Sequence, residues 1–416
     1  MNDATSEIFV ARQPIFSPNQ SLYGYELLYR NSMSNAYQAT DATAATLDVM
    51  KGAFLVLGPQ LTGSKKAFIN FNRELLEKRS AFSLHPQSTV IEILEDVRAD
   101  DTMVDICREL KNAGYTIALD DFDERNNKLV DLADIIKVDF RATAPRERKQ
   151  LVTGNRRRKI TFLAEKVETI DEFEEAKEIG YSYFQGYFFS KPVIVSARTI
   201  PSTKVNYVRM LSEINRPELD FLTLEKTIMQ DTYLTYTLLN YMNSAYFGFR
   251  DQVTSIRQAL VFLGERELRK WASLVILTFV GADRPSEVVT TSLIRAKFCE
   301  QFTSLRELAA NGSELFMIGM FSMLDVMIGR PLDEILTTIN VSNQVKTALG
   351  PGGNMHGDVL RLVLAYEKGD WDGFAQWSEK LGIDRNLIPL MYYKSVEWAD
   401  KVLQSQAVTE ARKASA

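Results

Sequence analysis

The stretch Tyr115–Asp123 reads Tyr-Thr-Ile-Ala-Leu-Asp-Asp-Phe-Asp, a short apolar run that ends in two adjacent carboxylates. Ile117, Ala118 and Leu119 have the composition of a buried strand, and Asp120 and Asp121 repel one another at its tip. Burying such a pair is costly unless cations or hydrogen bonds compensate it. Upstream, Met103, Ile106, Cys107 and Leu110 recur at helical spacing, between a cap at Asp100 or Asp101 and a turn at Gly114. The order is therefore helix, glycine turn, strand, acidic tip.

The pattern repeats along the chain. Ala67–Asn72 is an apolar run carrying Asn70, and Thr89–Glu95 carries Glu92 and Glu95. Asp134–Asp139 carries Lys137, Thr161–Glu168 carries Glu165 and Glu168, and Tyr181–Pro192 carries Gln185 beside Gly186. Short buried strands spaced by helical stretches indicate a parallel sheet, and repeated polar strand ends indicate a closed barrel with its site at the C-terminal face. One acidic strand end is ordinarily a cap or a surface turn; six in succession point to a shared site. Ahead of them, Phe9–Phe16 and Leu22–Arg30 read as two strands joined by the turn Ser17-Pro18-Asn19-Gln20. Glu26, inside the second, is either an outward residue of an edge strand or a site-facing carboxylate. Asp41–Leu57 is helical by periodicity, and Thr169–Glu172 has the spacing of a capping box on a helix that Gly180 closes.

A length of 416 residues predicts two domains, each with a substantial core. The net charge of −5 gives no electrostatic reason to expect a nucleic-acid partner. Cys107 and Cys299 lie in amphipathic helical patterns without metal-ligand spacing and read as reduced, half-buried core residues. The longest apolar run, Trp271–Ala282, is too short to span a membrane, and Met1–Glu7 lacks a signal-peptide core, so a cytoplasmic protein with no membrane partner is expected. Arg156-Arg157-Arg158-Lys159 reads as a solvated face, with a phosphate patch as the alternative.

The set Gln13-Pro14, Glu26-Leu27-Leu28-Tyr29-Arg30, Asn70, Glu92, Asp120-Asp121-Phe122, Ile136-Lys137-Val138-Asp139, Ala164-Glu165-Lys166-Val167-Glu168-Thr169 and Gln185-Gly186-Tyr187 resembles the EAL-domain family over roughly residues 8–195. Those proteins are bacterial phosphodiesterases that linearise cyclic di-GMP. The resemblance implies a TIM-like (β/α)8 barrel with one antiparallel strand and a pair of Mg²⁺ or Mn²⁺ ions at the strand ends. By the same resemblance Glu26, Asn70, Glu92, Asp120 and Asp121 correspond to metal ligands. Lys137 corresponds to a lysine that holds the nucleophilic water, and Glu165 to a general base or further ligand. Gln13, Leu28, Arg30 and Gln185 correspond to substrate-binding residues, and Glu95 and Glu168 to supporting ones. The residues suit such chemistry: hydrolysing an inert phosphodiester needs cations on its nonbridging oxygens, and hard divalent ions take oxygen ligands of this kind.

One stretch departs from the family. Gly-Thr-Gly-Tyr-Ser-Ser usually follows Asp-Asp-Phe, whereas this chain has Asp123-Glu124-Arg125-Asn126-Asn127-Lys128. The missing glycines remove left-handed backbone freedom from a loop that, in the family, positions the second aspartate and contributes to a homodimer. The ligand set favours a working phosphodiesterase. The altered loop favours the alternative, a non-hydrolytic cyclic di-GMP receptor or protein scaffold, and a barrel hydrolase for another phosphoester is a third reading.

Beyond Ile200 the pattern changes, with Pro201-Ser202-Thr203 as a linker between domains at 1–198 and 199–416. Leu224, Thr227 and Ile228 begin one helical stripe; Leu234, Leu238, Leu239 and Met242 form a second, and Leu268, Ala272, Val275 and Ile276 a third. Asn240–Gly248, Ser255-Ile256-Arg257-Gln258-Ala259 and Leu263-Gly264 resemble the HDOD family, an all-helical relative of HD phosphohydrolases. HD enzymes hold metal through several histidines, whereas this chain has only His85 and His356. The helical domain is therefore expected to be a metal-free signalling module that engages another protein.

Overall fold

The computed structural model describes residues 9–30, 61–120, 127–155, 158–190, 207, 210–216, 218–230, 232–243, 252–304 and 312–404. Eight strands close a barrel in sequence order: β1 (Phe9–Phe16), β2 (Leu22–Arg30), β3 (Lys66–Phe71), β4 (Thr89–Ile93), β5 (Thr116–Leu119), β6 (Ile135–Asp139), β7 (Thr161–Glu165) and β8 (Tyr183–Gln185). β1 runs antiparallel to both its neighbours, β2 and β8, and the remaining pairs are parallel. The one antiparallel strand follows from the tight Ser17–Gln20 turn, since a short hairpin can only return the chain antiparallel.

Alternation along each strand sorts side chains into layers. Ile15, Phe68, Val90, Ala118, Ile135 and Leu163 fill one layer of the interior, and Tyr23 and Tyr183 pack against it, stacked on one another with ring centroids 4.0 Å apart. Because side chains repeat with period two, the next inward residue toward the C-terminal end of each parallel strand lies one layer up. Those residues are Asn70, Glu92, Asp120, Lys137, Glu165 and Gln185. On β2 the corresponding residue is Glu26, and on the reversed β1 it is Gln13, which pairs with Glu26 in the register. An apolar floor thus carries a polar layer.

The helices between strands are built from the expected signals. Asp100 caps the helix Asp101–Asn112 by accepting from the Met103 N–H at 3.1 Å, and Met103, Ile106, Cys107 and Leu110 form its buried stripe. Thr169 and Glu172 make a reciprocal capping box on Ile170–Ile179, which ends at Gly180. Both cysteines are fully buried rather than half-buried: Cys107 sits in the buried stripe of its helix, and Cys299 in a helix, Ser286–Gln301, that is buried on nearly all sides. Tyr181–Pro192 holds a shorter strand than its composition suggests: Gly186 turns the chain, and Phe188–Ser190 forms a 3-10 turn. The expected helix at 41–57 lies outside the described residues.

The chain divides into two compact units. The first comprises 1–191 together with 364–376 and 384–389, and the second comprises 192–363, 377–383 and 390–416. The regular elements among the described residues of the second unit are helical, including Phe221–Gln230, Thr232–Met242, Ile256–Val280, Ser286–Gln301 and Gly312–Phe321. The helix Ile256–Val280 is broken by a kink at Gly264, and its apolar run from Trp271 is a buried core segment. No described helix is long and apolar enough to cross a membrane.

Candidate functional site

The polar layer converges on one ammonium. Lys137, 1% exposed, lies 2.6 Å from Glu165, 3.4 Å from Asp120 and 3.6 Å from Glu26, and also contacts Glu92. The β2 carboxylate is held on its other side by amides: Asn70 Nδ2 donates to Glu26 Oε1 at 3.1 Å, and Gln185 Nε2 to Glu26 Oε2 at 2.6 Å. Gln185 Nε2 also reaches Gln13 Oε1 at 3.0 Å. Glu26 is thus site-facing rather than an outward edge residue.

Burial pushes the Glu165 carboxyl up to about 8, with the Lys137 charge only partly opposing it. Burial, reinforced by the Glu26 charge, holds Glu92 well above the usual carboxylate range. Burial acts on Glu26 too, but Lys137 and the Gln185 and Asn70 amides outweigh it and leave that carboxyl lowered. Burial also disfavours the charge on Lys137, yet its carboxylates, Glu165 foremost, keep it an ammonium. Burial raises Glu92 and Glu165, and the neighbouring negative charges add to it, whereas Glu26 is lowered because Lys137 and two amide donors favour its charged form.

Among the described residues, three buried oxygens of this site have no hydrogen-bond donor: Asn70 Oδ1, Glu92 Oε2 and Gln185 Oε1. Among the described residues, Glu26, Glu92 and Glu165 bring carboxylate oxygens within 4.8 Å of one another. A set of oxygen donors with unmet acceptor capacity and excess negative charge fits a hard divalent cation.

Around this centre, Leu28 lies two residues beyond Glu26 on the same face of β2. Glu168 pairs with Arg141 at 2.7 Å, and Glu95 is exposed. Asp121, the stretch 121–126 and the side chain of Arg30 lie outside the described residues. In the basic run, Arg158 pairs with Asp131 at 3.0 Å on an exposed surface.

Two groups of residues escaped the sequence reading. Asp139 accepts from the backbone N–H groups of Arg141 and Ala142, at 2.6 and 3.0 Å, and pairs with Lys166, whose φ is +53°. It ties the loops after β6 and β7 together beside Glu165, a role its position in Lys-Val-Asp did not disclose. The other group is the helical hairpin of 364–376, which joins the barrel unit.

Comparison with known proteins bears on the same residues. Residues 37–192 match the model of the EAL domain, and residues 200–328 match that of the HDOD domain. The chain is 34% identical over 412 residues to YuxH of Bacillus subtilis, covering 96% of this chain and 100% of that one. It is 34% identical over 410 residues to the cyclic di-GMP phosphodiesterase CdgJ of Vibrio cholerae, covering 96% and 94%. The chain belongs to the EAL–HDOD family. Among solved structures, the barrel is similar to Klebsiella pneumoniae BlrP1 in a complex with calcium and cyclic di-GMP, at 26% identity and a TM-score of 0.38. That likeness covers 44% of this chain and 55% of the other. Asn70, Glu92, Asp120, Lys137, Glu165 and Gln185 lie within the residues matched to the EAL domain, and the HDOD match falls in the second unit.

Proposed function

We propose that the chain is a phosphodiesterase that hydrolyses cyclic di-GMP to linear pGpG, using two divalent ions, Mg²⁺ or Mn²⁺, at the barrel mouth. The observation that carries this reading is the ring of carboxylates around Lys137 with three donorless oxygens beside it. The four carboxylates around Lys137 and its ammonium sum to −3, and Asp121 would bring the set to −4; one divalent ion leaves −2, whereas two leave it neutral, a balance that admits an anionic phosphodiester. The similarity to CdgJ, which extends over nearly the whole chain, supports the choice of substrate.

When bound, the ions would neutralise phosphate charge and make a water more acidic. Glu26, Asn70, Glu92, Asp120 and Asp121 would hold them. Lys137 orients the attacking water, and Glu165 takes its proton as the new P–O bond forms. The bond to the leaving sugar oxygen breaks, and that oxygen takes up a proton. Gln13, Leu28, Arg30 and Gln185 hold the nucleotide, with Glu95 and Glu168 in support. The domain at 199–416 acts as a signalling module toward another protein, and the barrel pairs as a homodimer.

Incubating the full chain with cyclic di-GMP and Mg²⁺ or Mn²⁺ and resolving the products by chromatography tests this. Linear pGpG is expected, and an unchanged substrate would overturn it. A second reading, binding without turnover, is favoured by the glycine-free segment 123–128. Under that reading the native chain binds but scarcely hydrolyses, and grafting Gly-Thr-Gly-Tyr-Ser-Ser onto 123–128 raises kcat.

A further inference from the structure

The barrel unit includes a piece of chain from far along the sequence. The helix Met355–Glu367 and the helix Trp371–Lys380 are joined by Lys368-Gly369-Asp370, and 364–376 belongs to the same compact unit as the strands. The hairpin is pinned firmly. Tyr366 Oη donates to the Val10 carbonyl at 3.0 Å, and the Phe9 ring packs against Trp371 and Phe374 at 6.1 and 5.7 Å. Asp370 accepts from the Gly373 N–H at 3.0 Å and starts the second helix.

The residues that the turn touches are informative. The Lys368 carbonyl accepts from Gln13 Nε2 at 3.2 Å, and Gln13 in turn accepts from Gln185 beside Glu26. Gly369 has φ +65°, and a Cβ there would lie 2.8 Å from Leu28 Cδ1. The Lys368 ammonium stands 5.1 Å from the centre of the Tyr187 ring, two residues beyond Gln185, and Lys368 is exposed. Gln13 and Phe9 share one face of β1, and Glu26 and Leu28 one face of β2. The turn therefore meets Gln13 in the polar layer and Leu28 one inward position beyond Glu26.

We propose that the Lys368–Gly369 turn is part of the substrate mouth, with the Lys368 ammonium binding a phosphate of the cyclic dinucleotide. This rests on the proposed activity. An acidic centre repels an anionic substrate until it is loaded with cations, and an exposed ammonium anchored on a tyrosine face supplies attraction at the entrance. Gly369 lets the turn lie against Leu28, and the Lys368 carbonyl fixes the Gln13 amide. Lys368 acts on binding; Gly369 is a positioning residue.

The test measures KM and kcat for cyclic di-GMP with Mn²⁺ on the full chain, at low and raised salt, together with thermal midpoints. Lys368→Glu is expected to raise KM about tenfold, which corresponds to the reversal of one charge near a phosphate. kcat should stay within about twofold, the thermal midpoint should not move, and the KM effect should shrink as salt rises. Lys368→Arg should stay near wild type, and Lys368→Met should fall between. An unchanged KM for Lys368→Glu at low salt would overturn the inference while leaving the proposed activity intact. So would a KM increase matched by a fall in thermal midpoint, or one that Arg does not rescue, because either marks a structural role. A wild-type chain that neither binds nor hydrolyses cyclic di-GMP would remove the proposed activity, and this inference with it.

Discussion

In the helical unit Lys270 and Lys297 meet Glu267 and Glu300, two ammoniums for two carboxylates; in the barrel one ammonium, Lys137, meets four. The helical cluster closes on itself, with Lys297–Glu300 at 2.8 Å, Lys270–Glu267 at 3.1 Å and Lys270 also on Glu300. Burial alone would raise the Glu300 carboxyl, but Lys270 and Lys297 outweigh it and lower it. In the barrel the opposite holds for Glu92 and Glu165, which are raised beside oxygens that lack donors. Both clusters use the same residue types at similar distances. A charge balance that closes marks an ion-pair network, and one that does not marks a place for a cation or a proton transfer.

The sharpest way to break this contrast is to remove a member of the open cluster. Glu26→Ala should lower hydrolysis to pGpG by about 10²–10⁴, because it deletes a carboxylate that Asn70 and Gln185 hold in place. Activity within about twofold of wild type would take Glu26 out of the site. Lys137→Ala should lower kcat by about 10²-fold with little change in affinity for cyclic di-GMP, since orienting a water is not needed to hold substrate. A variant that turns over normally but binds poorly would reverse that assignment.

The next effect concerns stability. Phe9 is fully buried, and its neighbours Trp371 and Phe374 come from the C-terminal hairpin. Phe9→Ala should destabilise the full chain by about 3–5 kcal/mol, read by denaturant titration. A barrel cut at residue 198 loses the same contacts and should lose much of its activity. Equal activity in the truncated and full-length chains would show that the hairpin is dispensable.

How much of this was legible beforehand depends on the range of each interaction. Period-two alternation is local, so Glu92, Lys137 and Glu165 could be assigned to strand ends from their own neighbours. The Thr169 cap and the Gly180 stop were equally local. The hairpin was not legible: Lys368-Gly369-Asp370 spells a turn between helices, but nothing in those residues names Val10, 356 positions away, as the place where Tyr366 docks. The role of Asp139 went unread for another reason. Its role depends on the left-handed backbone of Lys166, and a lysine gives no warning of that conformation.

The smallest effect tests the contrast itself, with one isosteric change in each cluster. Glu300→Gln leaves Lys270 and Lys297 sharing one fewer charge in a space where Glu300 is only 12% exposed, and should cost about 1–3 kcal/mol at pH 7. Because the folded pKa of Glu300 lies below its ordinary value near 4.5, this stabilisation is present above that pH. It is lost as the pH falls through the folded value, so wild type and Glu300→Gln should converge in acid. Glu92→Gln replaces a carboxyl that burial and its crowded neighbours already hold well above the usual carboxylate range, and should leave the metal-free chain as stable as wild type or more so. Adding Mn²⁺ should then separate them further: the thermal midpoint rises for wild type and Glu300→Gln but scarcely for Glu92→Gln. Equal destabilisation by the two substitutions without metal would mean that the barrel cluster is a closed ion-pair network like the helical one, and the distinction between them would fall.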